Sequence, residues 1–485
     1  MFDTSLIEIE RNSSASLQRQ IYDQFRDLIL AGRLPANTRL PSSRQMAKDL
    51  KVSRNTVLQA YDQLTAEGFL VGRHGDGSYV ANDLAIDDLG DGRFTRNKRN
   101  SSSPSCPSVL SKRGASLLQT RATGGPFQRA FRAGYPDERL FPFEVWGRLL
   151  ARSWRQPYGE LPMSNDPAGF PPLRHAIADY LRTMRGVRCD ADQVVIVTGA
   201  QQAIMLATMA LCDVGDQVAI EDPGYPGVRG AVEAAGVIPV PVPVDEEGLQ
   251  INKVPVEAKL LCAAPSHQFP LGITMSLSRR LSLIDWAEQT SGWILEDDYD
   301  SEFRYRGRPL AALQGLDPNG RVIYIGSFSK VMFPSLRVGY MVVPSGLCEP
   351  LKRIRAALDG HPASAVQPAL ATFIDDGHFA SHLRRMRKIY SERQNTFVQT
   401  AQSELKGILE IESAPAGMSL VAKLQNPLSD QDAVIRAKSV DIDIAAIGSY
   451  CHLPIKTAKI HLGYTATNEI EIHRGLKKLA DALAA

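Results

Sequence analysis

Apolar positions in the first 30 residues follow the spacing of one buried helix face. The residues that form this stripe are Ile21, Phe25, Leu28 and Ile29. A glycine and a proline follow within six residues and are expected to end the helix. The chain therefore opens with an amphipathic helix that needs a partner to cover its apolar face.

The segment from about 40 to 80 predicts two more helices and a short hairpin. Ser43 is expected to cap the first helix and Ser53 the second, longer one. The buried stripe of the longer helix consists of Val57, Ala60, Tyr61 and Leu64. The stretch GFLVGRHGDGSYVAN then predicts two short strands around a turn that contains Gly75. This order of elements predicts a winged helix-turn-helix.

From about residue 126 onward, short apolar runs alternate with helical segments. The six runs are VVIVTG at 194–199, VAIED at 218–222, LLCAAP at 260–265, WILEDD at 293–298, VIYIGS at 322–327 and VGYMVV at 338–343. Continuous apolar strands separated by helices indicate a mostly parallel sheet that is covered on both faces. The fold class is therefore predicted to be α/β.

Residues 81–125 lose this periodicity and are rich in Ser, Asn, Pro and Gly. Six basic residues and no acid occur between Arg93 and Arg113. The segment is predicted to be a flexible basic linker, with an arm that touches DNA as the alternative. The expected domains are 1–80, the linker 81–125, and 126–485.

Composition fits a soluble globular protein of two or three domains, with 485 residues, 44% hydrophobic and 22% charged. The six cysteines are scattered without metal-ligand spacing and are expected to be thiols. We expect neither a signal peptide nor a membrane span, because the chain begins with acids and no apolar run approaches about 18 residues. The predicted location is the cytoplasm.

Charge favours DNA binding by the first domain over the alternative of a small helical interaction domain. The net charge is only +2, but six basic residues stand against the single acid Asp49 between Arg33 and Arg54. The side chains left outside the longer helix at its N-terminal end are Arg54, Asn55 and Thr56. These residue types contact phosphates and base edges.

Candidate chemistry in the second domain centres on Lys330, in the segment IYIGSFSKVMFPSLRVGY. A lysine that forms a Schiff base needs a site that lowers its pKa and an aldehyde partner. Ser327 and Arg337 flank this lysine, and both can reach one phosphate. Read alone, a lysine after a strand is more often structural, so its neighbours decide the matter.

Other motifs supply those neighbours. Asp297 and Tyr299 lie on one face of an extended segment, where a carboxylate can keep a pyridine nitrogen protonated and a phenol can donate to a ring oxygen. The alternative of a metal site is disfavoured, since no further ligand stands at the right spacing. The amides of Ala200 and Gln201 begin a helix and are expected to face an anion. Tyr225 provides a flat ring for stacking.

In their order and spacing, these motifs resemble two families joined in one chain. Residues 16–80 look like the winged helix-turn-helix of GntR-type regulators, and residues from about 126 to 485 resemble fold-type I aminotransferases, which use pyridoxal 5'-phosphate (PLP) on the lysine. The fused arrangement resembles the MocR subfamily, which includes the GABA-responsive regulator. The resemblance implies that the first domain, residues 1–80, is a DNA-binding head. The residues of this head that would contact DNA are Arg44, Ser53, Arg54, Asn55, Thr56 and Gly75. The resemblance also implies a smaller C-terminal α+β part and a homodimer on a double-stranded operator.

The chain departs from these families where an effector would bind. Relatives carry an arginine that grips a carboxylate where this chain has His461, and the stretch PSHQFPLG places Phe269 where aminotransferases have asparagine. Gly227 replaces a second effector-contacting arginine of the GABA-responsive regulator. GABA and ordinary α-amino acid transamination are therefore disfavoured, and the effector-binding candidates are His461, Arg229 and His267.

Three functions remain open at this point. The leading one is a regulator in which PLP forms an internal aldimine with Lys330 and an amine or amino-acid effector displaces that lysine. The second is a sensor of PLP itself that controls vitamin B6 genes. The third is a working aminotransferase with a DNA-binding head, although physiological turnover is not expected.

Overall fold

The computed structural model describes residues 4–11, 13, 15–73, 76–82, 110–118, 130–155, 166–307, 310–425, 427–454 and 457–484. The chain divides into two compact units, Met1–Ser105 and Cys106–Ala485. Each unit has its own hydrophobic core. No helix in the described ranges is both long and apolar enough to cross a bilayer.

The first unit is a three-helix core with a two-stranded wing. Its elements are α1 (Leu17–Leu30), α2 (Ser43–Leu50), α3 (Arg54–Ala66), β1 (Leu70–Arg73) and β2 (Gly77–Val80). Every residue of the two predicted apolar stripes is buried in one core. β1 and β2 pair antiparallel, with Leu70 opposite Val80. The predicted winged helix-turn-helix is confirmed.

The prediction that Ser43 caps α2 is wrong by one residue. The N-cap is Ser42, whose Oγ accepts a hydrogen bond from the amide of Gln45 at 3.2 Å. Two adjacent serines offer the same cap chemistry, so the pattern alone does not choose between them. Ser53 caps α3 as predicted, and its Oγ accepts a hydrogen bond from the amide of Thr56 at 3.1 Å.

The second unit alternates helices and strands. Its helices are α4 (Lys112–Leu117), α5 (Phe143–Arg155), α6 (Pro171–Arg185), α7 (Ala200–Leu211), α8 (Pro226–Ala234), α9 (Leu277–Thr290), α10 (Leu313–Leu316), α11 (Ser345–Asp359), α12 (Gln367–Asp375), α13 (His378–Glu404), α14 (Asp430–Ser439) and α15 (Glu469–Ala484). Its strands are β3 (Val194–Val197), β4 (Gln217–Asp222), β5 (Ile238–Asp245), β6 (Gly248–Leu249), β7 (Leu260–Ala263), β8 (Trp293–Asp298), β9 (Val322–Ser327), β10 (Gly339–Val342), β11 (Leu409–Ile411), β12 (Ser419–Leu424), β13 (Ala445–Ala446) and β14 (Lys459–Gly463).

An eight-stranded sheet in the order β3-β10-β9-β8-β7-β4-β5-β6 dominates the described part of this unit. The pairs among β9, β8, β7, β4 and β5 are parallel, and β10 runs antiparallel to both of its neighbours. Along β3, Val194 and Ile196 join one core while Val195 and Val197 join another. The predicted mostly parallel sheet with two covered faces is confirmed.

A smaller sheet in the order β11-β12-β14-β13 forms the C-terminal part with α14 and α15. It is entirely antiparallel. This is the smaller α+β part that the resemblance implies.

Helix α4 lies inside the segment predicted to be a linker. It packs against α8 of the second unit, and the Arg113 guanidinium lies beside Gly236 just beyond α8. At least the described residues 110–118 are therefore structured. The rest of the 81–125 segment, apart from residues 81 and 82, lies outside the described residues.

Candidate functional site

Lys330 lies in the turn that follows β9, at one end of the large sheet. Phe328 and Val331 are each only 1% exposed, so they anchor the turn on both sides of the half-buried lysine. The Nζ of Lys330 donates a hydrogen bond to the carbonyl oxygen of Gly134 at 2.8 Å. It also lies 5.6 Å from the centre of the Tyr135 ring. The amine is therefore held inside the unit rather than extended into solvent.

Asp297 lies near the end of β8, the strand beside β9. Its Oδ1 is buried and has no hydrogen-bond partner among the described residues. Burial raises the pKa of Asp297 to about 7, and the charges of Asp298 and Asp300 act in the same direction. A buried carboxyl without a donor is costly, so this arrangement fits a ligand that brings its own N–H group. A protonated pyridine nitrogen is such a group.

Three neighbouring strands bring the predicted anion-binding residues to one edge of the sheet. Gly339 of β10 stands opposite Ser327 of β9 on one side and Val197 of β3 on the other. Gly199 follows β3 with a φ of +145°, and a Cβ added there would lie 3.8 Å from the Arg337 guanidinium. The hydroxyl, the guanidinium and the start of α7 therefore meet at this edge.

The start of α7 adds backbone donors. Ala200 and Gln201 are its first residues, and the N-cap Gly199 has no side chain to satisfy their amides. Ser329 Oγ in the lysine turn is buried with no hydrogen-bond partner in the described part of the chain. Helix N–H groups, a guanidinium and hydroxyls together fit a phosphate. Ser329 was not predicted, although its place directly before the lysine was a usable signal.

Phe269 lies at the centre of an aromatic cluster around the site. Its ring centre is 5.0 Å from that of Tyr450, 5.4 Å from His461, 5.8 Å from Tyr225 and 6.3 Å from Tyr299. All four contacts are edge-to-face, with interplanar angles from 76° to 81°. The fold thus gathers the predicted stacking ring, the predicted ring-oxygen partner and one effector candidate.

Gly227 lies directly beneath the Tyr225 ring. A Cβ at this position would overlap the ring atoms of Tyr225. An arginine at position 227 is therefore incompatible with this placement of the tyrosine.

His267 is held by an acid and a phenol. Its Nδ1 donates to the carboxylate of Asp300, with distances of 2.9 and 3.0 Å to the two oxygens. The hydroxyl of Tyr299 lies 3.1 Å from the same nitrogen. Nε2 of His267 is buried and has no partner among the described residues. The ring packs directly against Gly417, where an added Cβ would overlap it.

His461 lies in β14 and is only 1% exposed. Its Nε2 lies 2.7 Å from Ser419 Oγ, while Nδ1 is buried with no partner in the described ranges. Burial lowers the pKa of His461 to about 3, with the charges of His267 and Lys330 acting in the same direction. The imidazole is therefore uncharged at neutral pH.

Arg229, the remaining effector candidate, already has two polar side-chain partners. Its Nε lies 2.6 Å from Glu233 Oε1, one helical turn away. Its Nη1 lies 3.2 Å from His452 Nδ1. Arg229 lines a cavity together with Tyr225 and Asp297, so it belongs to the wall of the site.

Glu221 lines the same cavity and was missed by the sequence reasoning. Its Oε1 is buried without a partner among the described residues, and burial raises its pKa to about 8. The signal that could have found it is an acid in an otherwise apolar strand, in VAIED of β4. No group of three or more His, Cys, Asp or Glu side chains with metal-binding geometry occurs in the described part of the chain.

The segment 130–137 connects the lysine to the small sheet. Besides the Gly134 carbonyl that accepts from Lys330, Phe131 O accepts a hydrogen bond from the Gly463 amide at 2.7 Å. Tyr135 O accepts one from the Thr465 hydroxyl at 2.6 Å. The lysine amine is therefore bonded to a segment whose backbone is also bonded to the C-terminal part.

The predicted DNA-binding residues of the first unit lie at the N-terminal ends of α2 and α3. Arg44, Arg54 and Asn55 are exposed. Arg54 Nε donates to Ser43 Oγ at 3.3 Å, which places the two helix ends side by side. The cationic and amide side chains thus form one accessible surface, as entry into a groove requires.

Two predicted DNA-binding residues also have structural roles. Ser53 caps α3, and its Oγ lies 2.7 Å from Thr56 Oγ1. Gly75 lies outside the described residues. In the wing, Arg73 donates to Asn37 Oδ1 at 2.7 Å, a basic side chain that the sequence reasoning did not select.

Comparisons with known proteins match both units. The family described as bacterial regulatory proteins, gntR family, matches residues 17–80, and aminotransferase class I and II matches residues 138–442. The "Probable rhizopine catabolism regulatory protein MocR" of Rhizobium meliloti is 40% identical over 483 residues, covering 99% of this chain and 96% of that protein. The "HTH-type pyridoxine biosynthesis transcriptional regulator PdxR" of Corynebacterium glutamicum is 30% identical, with 99% and 98% covered.

Solved structures support the fold of the second unit. The kynurenine aminotransferase of Pyrococcus horikoshii, in complex with PMP, superposes with a TM-score of 0.69 at 24% identity and covers 78% of this chain and 97% of its own. LysN of Thermus thermophilus, complexed with N-(5'-phosphopyridoxyl)-L-leucine, gives 0.66 at 26% identity, covering 78% and 95%.

The fold and the site define an aminotransferase-like, PLP-dependent protein with a DNA-binding head. Three features fit that cofactor: the buried Asp297 Oδ1 without a partner among the described residues, the enclosed lysine amine, and the anion-binding edge of the sheet. The chain belongs to the MocR subfamily of GntR-type transcription regulators.

Proposed function

We propose that this regulator binds a double-stranded operator through its winged helix and senses an amino compound through PLP attached covalently to Lys330. The observation that carries the proposal is that an enclosed lysine amine follows β9, while the neighbouring strand β8 holds a carboxyl whose buried Oδ1 has no hydrogen-bond partner among the described residues. A structural lysine needs no such acid, and a structural acid would have a donor. The proposed setting is the cytoplasm.

The residues of the site divide the work of holding the cofactor. When bound, PLP supplies an aldehyde for amines and an electron-withdrawing ring. Asp297 would keep the ring nitrogen protonated, Tyr225 would stack on the ring, and Tyr299 would meet its phenolic oxygen. The phosphate would lie among Ser327, Arg337 and the amides of Ala200 and Gln201.

An effector amine would act by competing with Lys330 for the aldehyde. The released Lys330 amine would again have the Gly134 carbonyl as its hydrogen-bond partner, so effector binding alters a contact within the segment 130–137. A ligand shifts conformations only through differential contacts, and this contact differs between the two states. We further propose a homodimer whose two heads read paired half-sites.

A sensor of PLP itself is the second candidate function. The uncharged His461 favours it, because the usual carboxylate grip is absent. A relative named as a pyridoxine biosynthesis regulator is 30% identical over almost the whole chain. In that case loading of Lys330 alone would change DNA binding. A third candidate, a working aminotransferase, requires steady turnover of an amino donor and a keto acid.

The experiment compares DNA affinity of the cofactor-free protein, the PLP-loaded protein, and the loaded protein with added amines. The proposal expects a change on adding amines that is absent in the Lys330→Ala variant. A change on PLP loading with no further response to any amine would replace it with the PLP sensor. No response to either would leave a DNA-binding regulator without a sensor.

A further inference from the structure

We propose that the effector is a primary amine whose remaining polar groups are uncharged hydroxyls, and that carboxylates are excluded from the effector site. This inference rests on the proposed function and specifies its ligand. It follows from three features of the site: the buried histidine of β14, the pairing of the surrounding charges, and the polar atoms that are left without partners.

The first feature is the position of His461. The imidazole packs between the Phe269 ring, 5.4 Å away, and the Tyr450 ring, 5.9 Å away, and only Ser419 hydrogen-bonds to it among the described residues. An apolar, aromatic setting of this kind keeps an imidazole neutral. Because Nε2 is bonded to Ser419, the neutral ring has only Nδ1 left, which matches a hydroxyl as either donor or acceptor and gives no charge to a carboxylate.

The second feature is that three basic side chains around the site, apart from Lys330 and the predicted phosphate ligand Arg337, are paired with acids. The pairs and their N–O distances are Arg132–Asp443 at 3.6 Å, Arg229–Glu233 at 2.6 Å and His267–Asp300 at 2.9 Å. Arg132 belongs to this surround because its guanidinium lies 4.6 Å from the centre of the Tyr135 ring, near which the lysine amine also lies. A carboxylate would have to break one of these pairs or remain uncompensated, and both cost free energy.

The third feature is the number of buried polar atoms without partners in the described part of the chain. His461 Nδ1, His267 Nε2 and Glu221 Oε1 are all of this kind. A purely apolar amine would leave them unsatisfied. Hydroxyl groups satisfy donors and acceptors alike, whereas a carboxylate only accepts.

The test uses three amines with the same four-carbon chain: 4-amino-1-butanol, 4-aminobutyrate and n-butylamine. Each is titrated into the PLP-loaded, full-length protein while the cofactor absorbance is recorded. We expect the amino alcohol to shift the spectrum at a concentration at least about tenfold lower than either other amine. Preference for 4-aminobutyrate overturns the exclusion of carboxylates, and equal response to butylamine overturns the role of hydroxyls.

The His461→Arg variant sharpens the test, because an arginine there restores a bidentate partner for a carboxylate. We expect the preference between amino alcohol and amino acid to reverse in this variant. His175→Arg, on the exposed face of α6, makes the same residue change away from the site and should keep the wild-type order. An unchanged order in a His461→Arg protein that still binds PLP overturns the inference.

If that variant does not load PLP, Ser419→Ala provides the second measurement. It removes the partner of His461 Nε2 without adding charge, and we expect it to narrow the preference for the amino alcohol. An unchanged ratio contradicts the inference. A wild-type protein that responds to none of the three amines, yet changes DNA affinity on PLP loading, overturns amine sensing itself. That outcome is distinct from a preference for the wrong amine.

Discussion

The two units of this chain hold their functional side chains in opposite surroundings. In the head, Arg44, Arg54 and Asn55 are exposed at helix ends, and Arg54 donates to Ser43. In the second unit, His461 is almost completely buried and Asp297 has a buried, unpartnered oxygen. The pKa values of both are shifted, in opposite directions.

This difference follows from the size of the ligand that each unit binds. A DNA duplex is too large to be enclosed by a small domain, so the head presents basic side chains at its surface. These side chains attract the DNA phosphates over a long range. A small cofactor can be enclosed, so the second unit keeps polar atoms buried and unsatisfied until the ligand arrives. Substitutions of the exposed side chains Arg44, Arg54 and Asn55 should therefore change DNA binding with little effect on stability, whereas substitutions of the buried site residues in the second unit should change both ligand binding and stability.

The largest expected effect is the complete loss of covalently bound cofactor in Lys330→Ala. The variant should lack the absorbance band at about 410–430 nm that a lysine-linked PLP gives. Borohydride reduction followed by mass analysis of the peptides checks the attachment. Lys388→Ala, an exposed lysine on α13, is the matched control and should keep the band. A band of wild-type intensity in Lys330→Ala would remove Lys330 from the site.

The next effect concerns the head. Arg54→Ala should weaken operator binding by about 1–3 kcal/mol and leave the PLP absorbance unchanged. Arg353→Ala removes the same charge from an exposed position on α11 and should bind DNA like the wild type. Titration of labelled operator at one fixed salt concentration measures both. Equal affinities of the two variants would show that Arg54 is not in the interface.

The head was predictable because its signals are local. A stripe of apolar residues and a capping serine lie within one helix, so α1, α3 and the wing followed from spacing alone. The one error, Ser43 in place of Ser42, arose where two identical residues stand together. Only the φ and ψ angles of the folded chain distinguish the cap from the first helical residue.

The second unit was predictable for the strands with apolar runs but not for β5. Its sequence IPVPVPVD contains three prolines, which usually argue against a strand. β5 tolerates the prolines because only one of its edges is fully paired. The first six residues of β5 pair with β4, whereas β6 pairs only with the last two residues of β5, so most of the second edge of β5 is open. The contacts of His267 with Asp300, and of Lys330 with Gly134, join residues 33 and 196 positions apart, and no local pattern reveals them.

A smaller effect tests the buried acid. The pKa of Asp297 is about 7 in the folded chain, above its ordinary value, so the folded state keeps a proton that the unfolded state loses. Stability of the cofactor-free protein should therefore fall as pH rises from about 5 to 7, by on the order of 2 kcal/mol from this group. Asp297→Asn should lose less stability over that range.

Urea unfolding of cofactor-free protein at pH 5 and at pH 7.5 measures this difference. Glu221, whose pKa is raised to about 8, contributes a slope of the same sign in both proteins, so only the difference between them reports on Asp297. Asp285→Asn, exposed on α9, is the control and should follow the wild type. Identical slopes in Asp297→Asn and the wild type would mean that this carboxyl is already ionised.

The smallest expected effect distinguishes the two serines before α2. Ser42→Ala removes the hydroxyl that accepts from the Gln45 amide and should destabilise the head by about 1 kcal/mol. Ser43→Ala should cost only a few tenths of that, because its hydroxyl meets an exposed arginine rather than a helix amide. Hydrogen exchange of the α2 amides measures both variants in the full-length chain. The PLP band should stay unchanged in each, since the two units have separate cores. A larger loss of stability in Ser43→Ala than in Ser42→Ala would show that Ser43 is the cap. A changed PLP band would show that stability in the head is transmitted to the cofactor site.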